Sequence, residues 1–332
     1  MNGFTEVMDN GSAELRIDIG VCTYRRTELE ATLRSLGKQA LPENCRVRVI
    51  VSDNDVEPSA KERIAKLAPA LPFELRYIHS PASNISIARN ACLDASDGDF
   101  IAFIDDDETA SEDWLAYLLT TAQDTDADAV LGPVQASYGK DAPRWMSKGD
   151  FHSTFPVWIG GEIRTGYTCN VLLRRASPSV AGRRFSLALG RSGGEDTQYF
   201  SELHEAGGKI AYAPEAWMHE PVPEGRARFS WLCKRRFRVG QTHGRLLSRK
   251  ATGAGLSKQL VLSKQVGLAT AKACYSFAAA LVTAFSPVHR NRSLLRGVMH
   301  AGVVSGLMGI REIQQYGETA MAPANGGKSR AT

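Results

Sequence analysis

Three absences frame this sequence: no long apolar run, no Cys-x-x-Cys pair, and no Asp or Glu anywhere between Gly225 and Arg311. Crossing a membrane as a helix takes ~20 apolar residues. The two apolar, uncharged runs of the C-terminal part, residues 273–286 and 297–310, are fourteen long. Neither reads as a transmembrane helix. The six cysteines (22, 45, 92, 169, 233 and 274) are scattered. That spacing argues against a zinc site and a disulfide framework, and fits a reducing compartment. Residues 1–13 are polar and carry acids, so they do not resemble a secretory leader and are expected to be disordered. Residues 312–332 are expected to form a flexible tail.

The missing acids have a consequence for charge. Sixteen Lys and Arg fall in the acid-free segment, while the whole chain carries +4, leaving the remainder about twelve negative. A basic block beside an acidic body suggests an anionic partner, either nucleic acid or a membrane surface. Apolar helices flanked by Lys and Arg are expected to lie in a membrane interface, or else to pack on the core.

What is present centres on Asp99-Phe-Ile-Ala-Phe-Ile-Asp105-Asp106-Asp107-Glu108. Phe100 to Ile104 is too short for an ordinary helix and reads as a strand buried on both faces. Carboxylates at the carboxyl end of such a strand sit where open α/β sheets bind ligands. Three together repel one another unless a cation sits between them, and hard oxygen ligands suit Mg2+ or Mn2+ shared with phosphates. A metal-bridged diphosphate site at Asp105 and Asp107 is therefore predicted.

Around that strand the chain alternates. Strands are predicted at 15–22, 47–51 and 73–78, and helices at 28–39, 57–67, 84–95 and 111–123. Ser83 or Asn84 supplies the start of the third helix. This order predicts a mostly parallel sheet with helices on both faces. Thr23–Arg26, Asp53 and Asp105–Asp107 should then meet along one sheet edge. Residues 137–168 are rich in aromatics, among them Trp158, whose faces suit a sugar ring. A strand at 170–174, Gly193-Gly194-Glu195-Asp196, a helix at 197–206, a strand at 209–212 and His219 follow.

In that order, Val21-Cys22-Thr23-Tyr24-Arg25-Arg26, Val51-Ser52-Asp53, Ala88-Arg89-Asn90, Phe103-Ile104-Asp105-Asp106-Asp107 and Gly194-Glu195-Asp196 resemble the family 2 glycosyltransferases of GT-A fold. More narrowly, Arg235-Arg236-Phe237-Arg238 with Gly240-Gln241-Thr242 and the apolar tail resemble the bacterial exopolysaccharide branch, of succinoglycan glucosyltransferase type. The second-strand motif ends Asp53-Asn54-Asp55, where many members carry Asp-Asp-Gly. The resemblance implies that Thr23, Tyr24 and Arg25 contact the nucleotide and that Asp53 accepts a hydrogen bond from uracil. Arg89 would hold base or diphosphate. Asp105 and Asp106 would lie along the nucleotide sugar, Asp107 would bind Mg2+ or Mn2+, and His219 would be a second metal contact. Asp196 would be the general base, with Glu195 touching the acceptor; Trp158, from the aromatic-rich stretch, is a further acceptor-binding candidate.

The same resemblance implies a glycosyltransferase domain at 14–225, split into a nucleotide-sugar half (14–135) and an acceptor half (136–225). Residues 226–311 would form a basic helical region at the inner face of the cell membrane. The donor would be UDP-glucose or similar, the acceptor a lipid-linked oligosaccharide, with no nucleic acid bound. The chemistry agrees: a divalent cation neutralises the leaving diphosphate, and a carboxylate takes the proton of the incoming hydroxyl. Two alternatives stand beside it. Asp105–Thr109 also fits the DxDxT pattern of haloacid dehalogenase-like phosphatases, with Asp105 as nucleophile. Residues 226–250 interleave Phe229, Trp231 and Phe237 with arginine, as a non-catalytic nucleic-acid binder would.

Overall fold

The computed structural model of the chain describes residues 14–42, 44–251 and 256–310; the two expected loose ends fall outside them. In chain order the elements are β1 (Leu15–Thr23), α1 (Leu29–Leu36), β2 (Cys45–Asp53), α2 (Lys61–Leu67), β3 (Glu74–His79), α3 (Ile85–Ala95), β4 (Phe100–Asp105), β5 (Thr109–Ala110), α4 (Trp114–Thr125), β6 (Ala129–Leu131) and β7 (Val134–Tyr138). There follow α5 (Arg144–Gly149), β8 (Trp158–Ile159), β9 (Glu162–Ile163), β10 (Asn170–Arg174), α6 (Glu195–Glu205), β11 (Ile210–Tyr212), β12 (Met218–Val222), α7 (Phe229–Lys250), α8 (Leu256–Val282) and α9 (Pro287–Leu307).

The central sheet has the order β11-β6-β10-β4-β1-β2-β3, and β10 runs antiparallel to both of its neighbours. This is the α/β, mostly parallel architecture read from the alternating elements. Strand β4 shows why the sheet lies mid-molecule. Its side chains alternate between faces: Phe100, Ala102 and Ile104 join one core with α1, α2 and α4. Ile101 and Phe103 join the other core, with α3 and α6. A continuous apolar run is what two buried faces require. Asn84 caps α3, accepting from the Ser86 amide at 3.0 Å.

Helix α2 starts four residues later than the pattern predicts. The Asp53 carboxylate accepts from the amides of Asp55 (3.1 Å) and Ala60 (2.9 Å), folding 54–60 into a turn before the helix can begin. A second, three-stranded sheet, β5-β12-β7, lies against the acid-tipped end of β4.

The basic C-terminal part forms three helices. Among the described residues no helix is long and apolar enough to cross a membrane. Helix α9 packs on α7 at backbone distance, because glycines face each other. A Cβ on Gly240 or Gly244 would collide with the carbonyls of Met299 and Val303, and one on Gly302 or Gly306 with those of Phe237 and Gln241. Four-residue spacing of small residues on both helices allows this approach. Helix α8 packs on α9 through Ala269, Ala273, Ser276 and Ala280. Its other side leaves Leu268, Tyr275, Leu281 and Val282 exposed, and Phe285 beyond its end is 99% exposed.

Candidate active site

A cleft of about 500 Å³ opens at the carboxyl ends of β1 and β4 and is closed on the far side by α7. Parallel pairing ends the two strands together, with Cys22 beside Asp105. The Tyr24 amide then donates to Asp106 Oδ2 at 3.3 Å. Glu108, buried behind the turn, accepts from the Asp105 amide at 3.1 Å and so shapes the acidic tip. Thr23, Tyr24, Arg89, Asp105, Asp106, Asp107, Glu195 and Asp196 all line this one cleft. Sequence positions from strand tips and from a helix ninety residues later thus meet.

Crowded carboxylates behave as expected of the crowding. The Asp105 side chain is 46% open to the cleft, yet loss of solvent there pushes its pKa up to about 6. Arg89 opposes that rise, and the charges of Asp107, Glu220 and Asp196 add to it. Asp106 is pushed up to about 7, chiefly by burial. Glu108 is raised well above the usual range by burial and by Asp105. Guanidinium groups offset part of the repulsion: Arg26 lies 3.2 Å from Asp107 and 3.8 Å from Asp106.

Asp196 sits in the first turn of α6, at the positive end of the helix dipole. Its Oδ1 accepts from the Thr197 amide at 2.6 Å, which fixes the carboxylate. The turn leading to it uses Gly193 (φ 86°) and Gly194 (φ 91°), both left-handed. Side chains there would also strike Arg238 and Thr242 of α7, so the two glycines let α7 close over the site.

Four of the expected site residues do not line the cleft. Arg25 (φ 56°) turns away from the cleft and pairs with Asp55 at 2.8 Å; its neighbour Arg26 lines the cleft instead. Asp53 is fully buried, held by Ala60, Asp55 and the Tyr77 hydroxyl, so the uracil partner expected there is spent on the β2–α2 turn. Asn54 lines the cleft in its place. Glu195, by contrast, does line the cleft: it is 5% exposed and ion-paired with Arg89, which anchors the start of α6, and its Oε2 accepts no hydrogen bond. Trp158 lies exposed on the β8–β9 hairpin and does not line the cleft. His219 does not line it either: alternation along β12 aims Glu220 inward and His219 outward.

Arg226, Trp231, Arg235 and Arg238 also line the cleft, although sequence reasoning gave them no role in a glycosyltransferase site. The signal was available, since positions 231, 235 and 238 share one face of a helix. The expected boundary at residue 225 therefore passes through the cleft wall. Trp231 stacks on the buried His152 ring (5.4 Å, 19°), and Arg226 and Arg235 lie over its indole at 5.8 and 5.5 Å.

Among the described residues no three His, Cys, Asp or Glu side chains are grouped to hold a metal ion unaided. The buried Asp107 Oδ2 accepts no hydrogen bond and faces two guanidiniums. Such a carboxylate fits a divalent cation that takes most of its remaining ligands from a diphosphate.

Residues 18–182 match the family profile of glycosyl transferase family 2. The chain is 60% identical over 310 residues to the succinoglycan biosynthesis protein ExoM of Rhizobium meliloti (strain 1021), covering 93% of this chain and 98% of that protein. Its fold is similar to that of the mannosyltransferase PcManGT from Pyrobaculum calidifontis, solved with GDP-Man and Mn2+ (TM-score 0.58, 18% identity, 89% of this chain and 88% of that one). It is also similar to S. aureus TarS 1-349 with UDP-GlcNAc (TM-score 0.51, 16% identity, 92% and 99%).

Proposed function

This chain belongs to glycosyl transferase family 2 and is a glycosyltransferase; from that premise we propose that it moves a hexose, glucose in the first instance, from a UDP-sugar to a lipid-linked oligosaccharide in exopolysaccharide synthesis. The succinoglycan role of its 60% identical relative supports the pathway class. The observation that carries the mechanism is that Asp107 and Asp196 face one cleft.

Mg2+ or Mn2+ at Asp107 would neutralise charge developing on the leaving diphosphate. Thr23, Tyr24 and Asn54 flank the nucleotide side of the cleft, and Arg26, Arg235 and Arg238 offer their donors to phosphate oxygens. Asp196, with Oδ1 bonded to Thr197, has Oδ2 available to take the proton of the acceptor hydroxyl as the new bond to the anomeric carbon forms. Arg89 and Glu195 hold that helix start in place. One base and one direct displacement give inversion. Family membership sets aside the phosphatase alternative.

Asp196→Asn is expected to keep UDP binding by calorimetry while losing about 10³-fold in transfer, as removal of a general base does. Transfer at the normal rate would overturn the assignment. A panel of nucleotide sugars, scored for metal-dependent UDP or GDP release, identifies the donor.

We place the enzyme peripherally at the inner face of the membrane. Support comes from the exposed apolar side of α8, the bare Phe285, and the acid-free, Lys- and Arg-rich sequence around them. Leu281→Asp with Phe285→Asp should abolish sedimentation with vesicles containing anionic phospholipid and leave soluble UDP-sugar hydrolysis unchanged. Undiminished sedimentation would favour a purely structural helical layer.

A further inference from the structure

Glu220 belongs to none of the motifs that point to the cleft, yet β12 delivers it there. Strand β12 pairs with β5, which begins directly after the acidic turn, with His219 opposite Thr109 and Met218 opposite Ala110. The next residue inward is carried alongside Asp107. One guanidinium then spans the two carboxylates: Arg226 lies 2.8 Å from Glu220 Oε1 and 3.8 Å from Asp107 Oδ2.

We propose that Asp107 and Glu220 together form the protein's share of the divalent-cation site, and that the Arg226 side chain is a resident counter-ion which the metal displaces. The proposal rests on the metal-dependent reading above.

Three observations support it. First, Asp107 is 9% exposed and its Oδ2 accepts no hydrogen bond, so a buried oxygen faces two guanidiniums, Arg26 at 3.2 Å and Arg226 at 3.8 Å, without a hydrogen bond to either. Burial of a charge is tolerated when a partner coordinates it directly, and an ion of charge +2 does so better than guanidiniums at 3.2 and 3.8 Å; of the two, Arg226 is the one that also binds Glu220. Second, the backbone of Arg226 is held independently of its side chain. The Arg226 amide donates to the Pro223 carbonyl at 2.8 Å, and its own carbonyl accepts from His152 Nε2 at 3.1 Å. A carbonyl can only accept, so Nε2 carries the proton, leaving Nδ1 to accept from the Tyr138 hydroxyl at 3.2 Å. Third, the displaced side chain has a place to go. Trp231 and Arg235 stand beside it on the wall that would face the diphosphate. Arg226 would thus trade two carboxylates for phosphate oxygens as the metal and donor enter together.

The test is Mn2+ binding to the full-length protein, followed by electron paramagnetic resonance of the free ion, with and without UDP. Without UDP, Arg226→Gln should bind Mn2+ about 10-fold more tightly than wild type, since one competing charge is gone. Glu220→Gln should bind it at least about 10-fold more weakly. Arg235→Gln, on the same wall, should stay within about two-fold of wild type. With UDP present, the Arg226→Gln protein should lose nucleotide affinity. Unchanged Mn2+ affinity in both Arg226→Gln and Glu220→Gln overturns the proposal. So does an Arg235→Gln effect as large as that of Arg226→Gln, which would mean a diffuse field rather than displacement. If wild type with UDP takes up no Mn2+, the metal-dependent reading itself falls; if it does and the variants match it, only this assignment falls. Thermal unfolding of each variant verifies its fold, and Arg226→Gln alone decides the matter should Glu220→Gln not fold.

Discussion

The acidic wall of the cleft is one turn at the end of one strand, Asp105 to Asp107, while the basic wall opposite gathers Arg226, Arg235 and Arg238 from a loop and two turns of α7. The first wall is rigid because β4 is buried on both faces and hydrogen-bonded on both edges. The second is held by packing: Trp231 on His152, the glycines of α7 on those of α9, and the glycine turn before α6. A strand tip fixes charge by main-chain geometry. A helix wall fixes it only as well as the surfaces behind it fit.

That contrast can be broken at several strengths. Asp107→Ala removes the anion proposed to hold a cation and diphosphate, and about 10³-fold of kcat/KM should be lost with no change in thermal midpoint beyond a few degrees. Retained metal-dependent turnover would mean that the acidic wall is not where the metal acts.

The basic wall should fail by pH. His152 is 4% exposed, and burial holds its pKa down at about 4; the Arg226 carbonyl opposes this, while the charges of Arg235 and Arg226 reinforce it. An unfolded histidine takes up its proton near 6.5, so as pH falls the unfolded state is protonated first. The stability this contributes is complete above about pH 6.5 and is lost progressively down to about pH 4, reaching about 3 kcal/mol. Urea unfolding at pH 7 and pH 4.5 should show that loss in wild type and a clearly smaller one in His152→Gln. Equal losses would show that the wall does not depend on a neutral imidazole.

Gly302→Val tests the support behind the wall. The new side chain meets the Phe237 carbonyl, and overpacking of this kind costs about 2 kcal/mol. A lowered denaturant midpoint with normal UDP binding would localise the damage to the α7–α9 seam. The smallest effect is expected at Arg238→Ala, which removes a guanidinium that donates to the Ser192 carbonyl at 3.0 Å beside the glycine turn before α6. About 10-fold in kcat/KM is the expected loss, the order of one charge-assisted hydrogen bond. No change would take Arg238 out of the donor site.

Much of the first wall was legible. Phe100–Ile104 with its three carboxylates announces a buried strand with a charged tip, and the alternation before it gives the parallel sheet. Asn84 behaves as a cap because Asn does so locally. The failures share a cause. Asp53, Arg25 and His219 sit one residue away from Asn54, Arg26 and Glu220, which reach the cleft. Which side of a turn or strand a residue faces depends on register, and register is set by partners far along the chain: Tyr77 and Ala60 for Asp53, Asp55 for Arg25, Thr109 for His219. The charge run of 226–250 was visible as an anionic partner's footprint, but its address was not.

Sequence alone settled the alternating strands and helices of the first half, the mostly parallel character of the sheet and the sign of each wall, because apolar period and residue charge are properties of short stretches. Only the tertiary structure decided that the two walls confront each other across one cleft, and which neighbour in each pair points in. That outcome depends on how β10 inserts between β4 and β6, how β12 registers on β5, and how closely glycine lets α7 approach α9. Each is a contact between residues distant in the chain, where no local pattern carries the information.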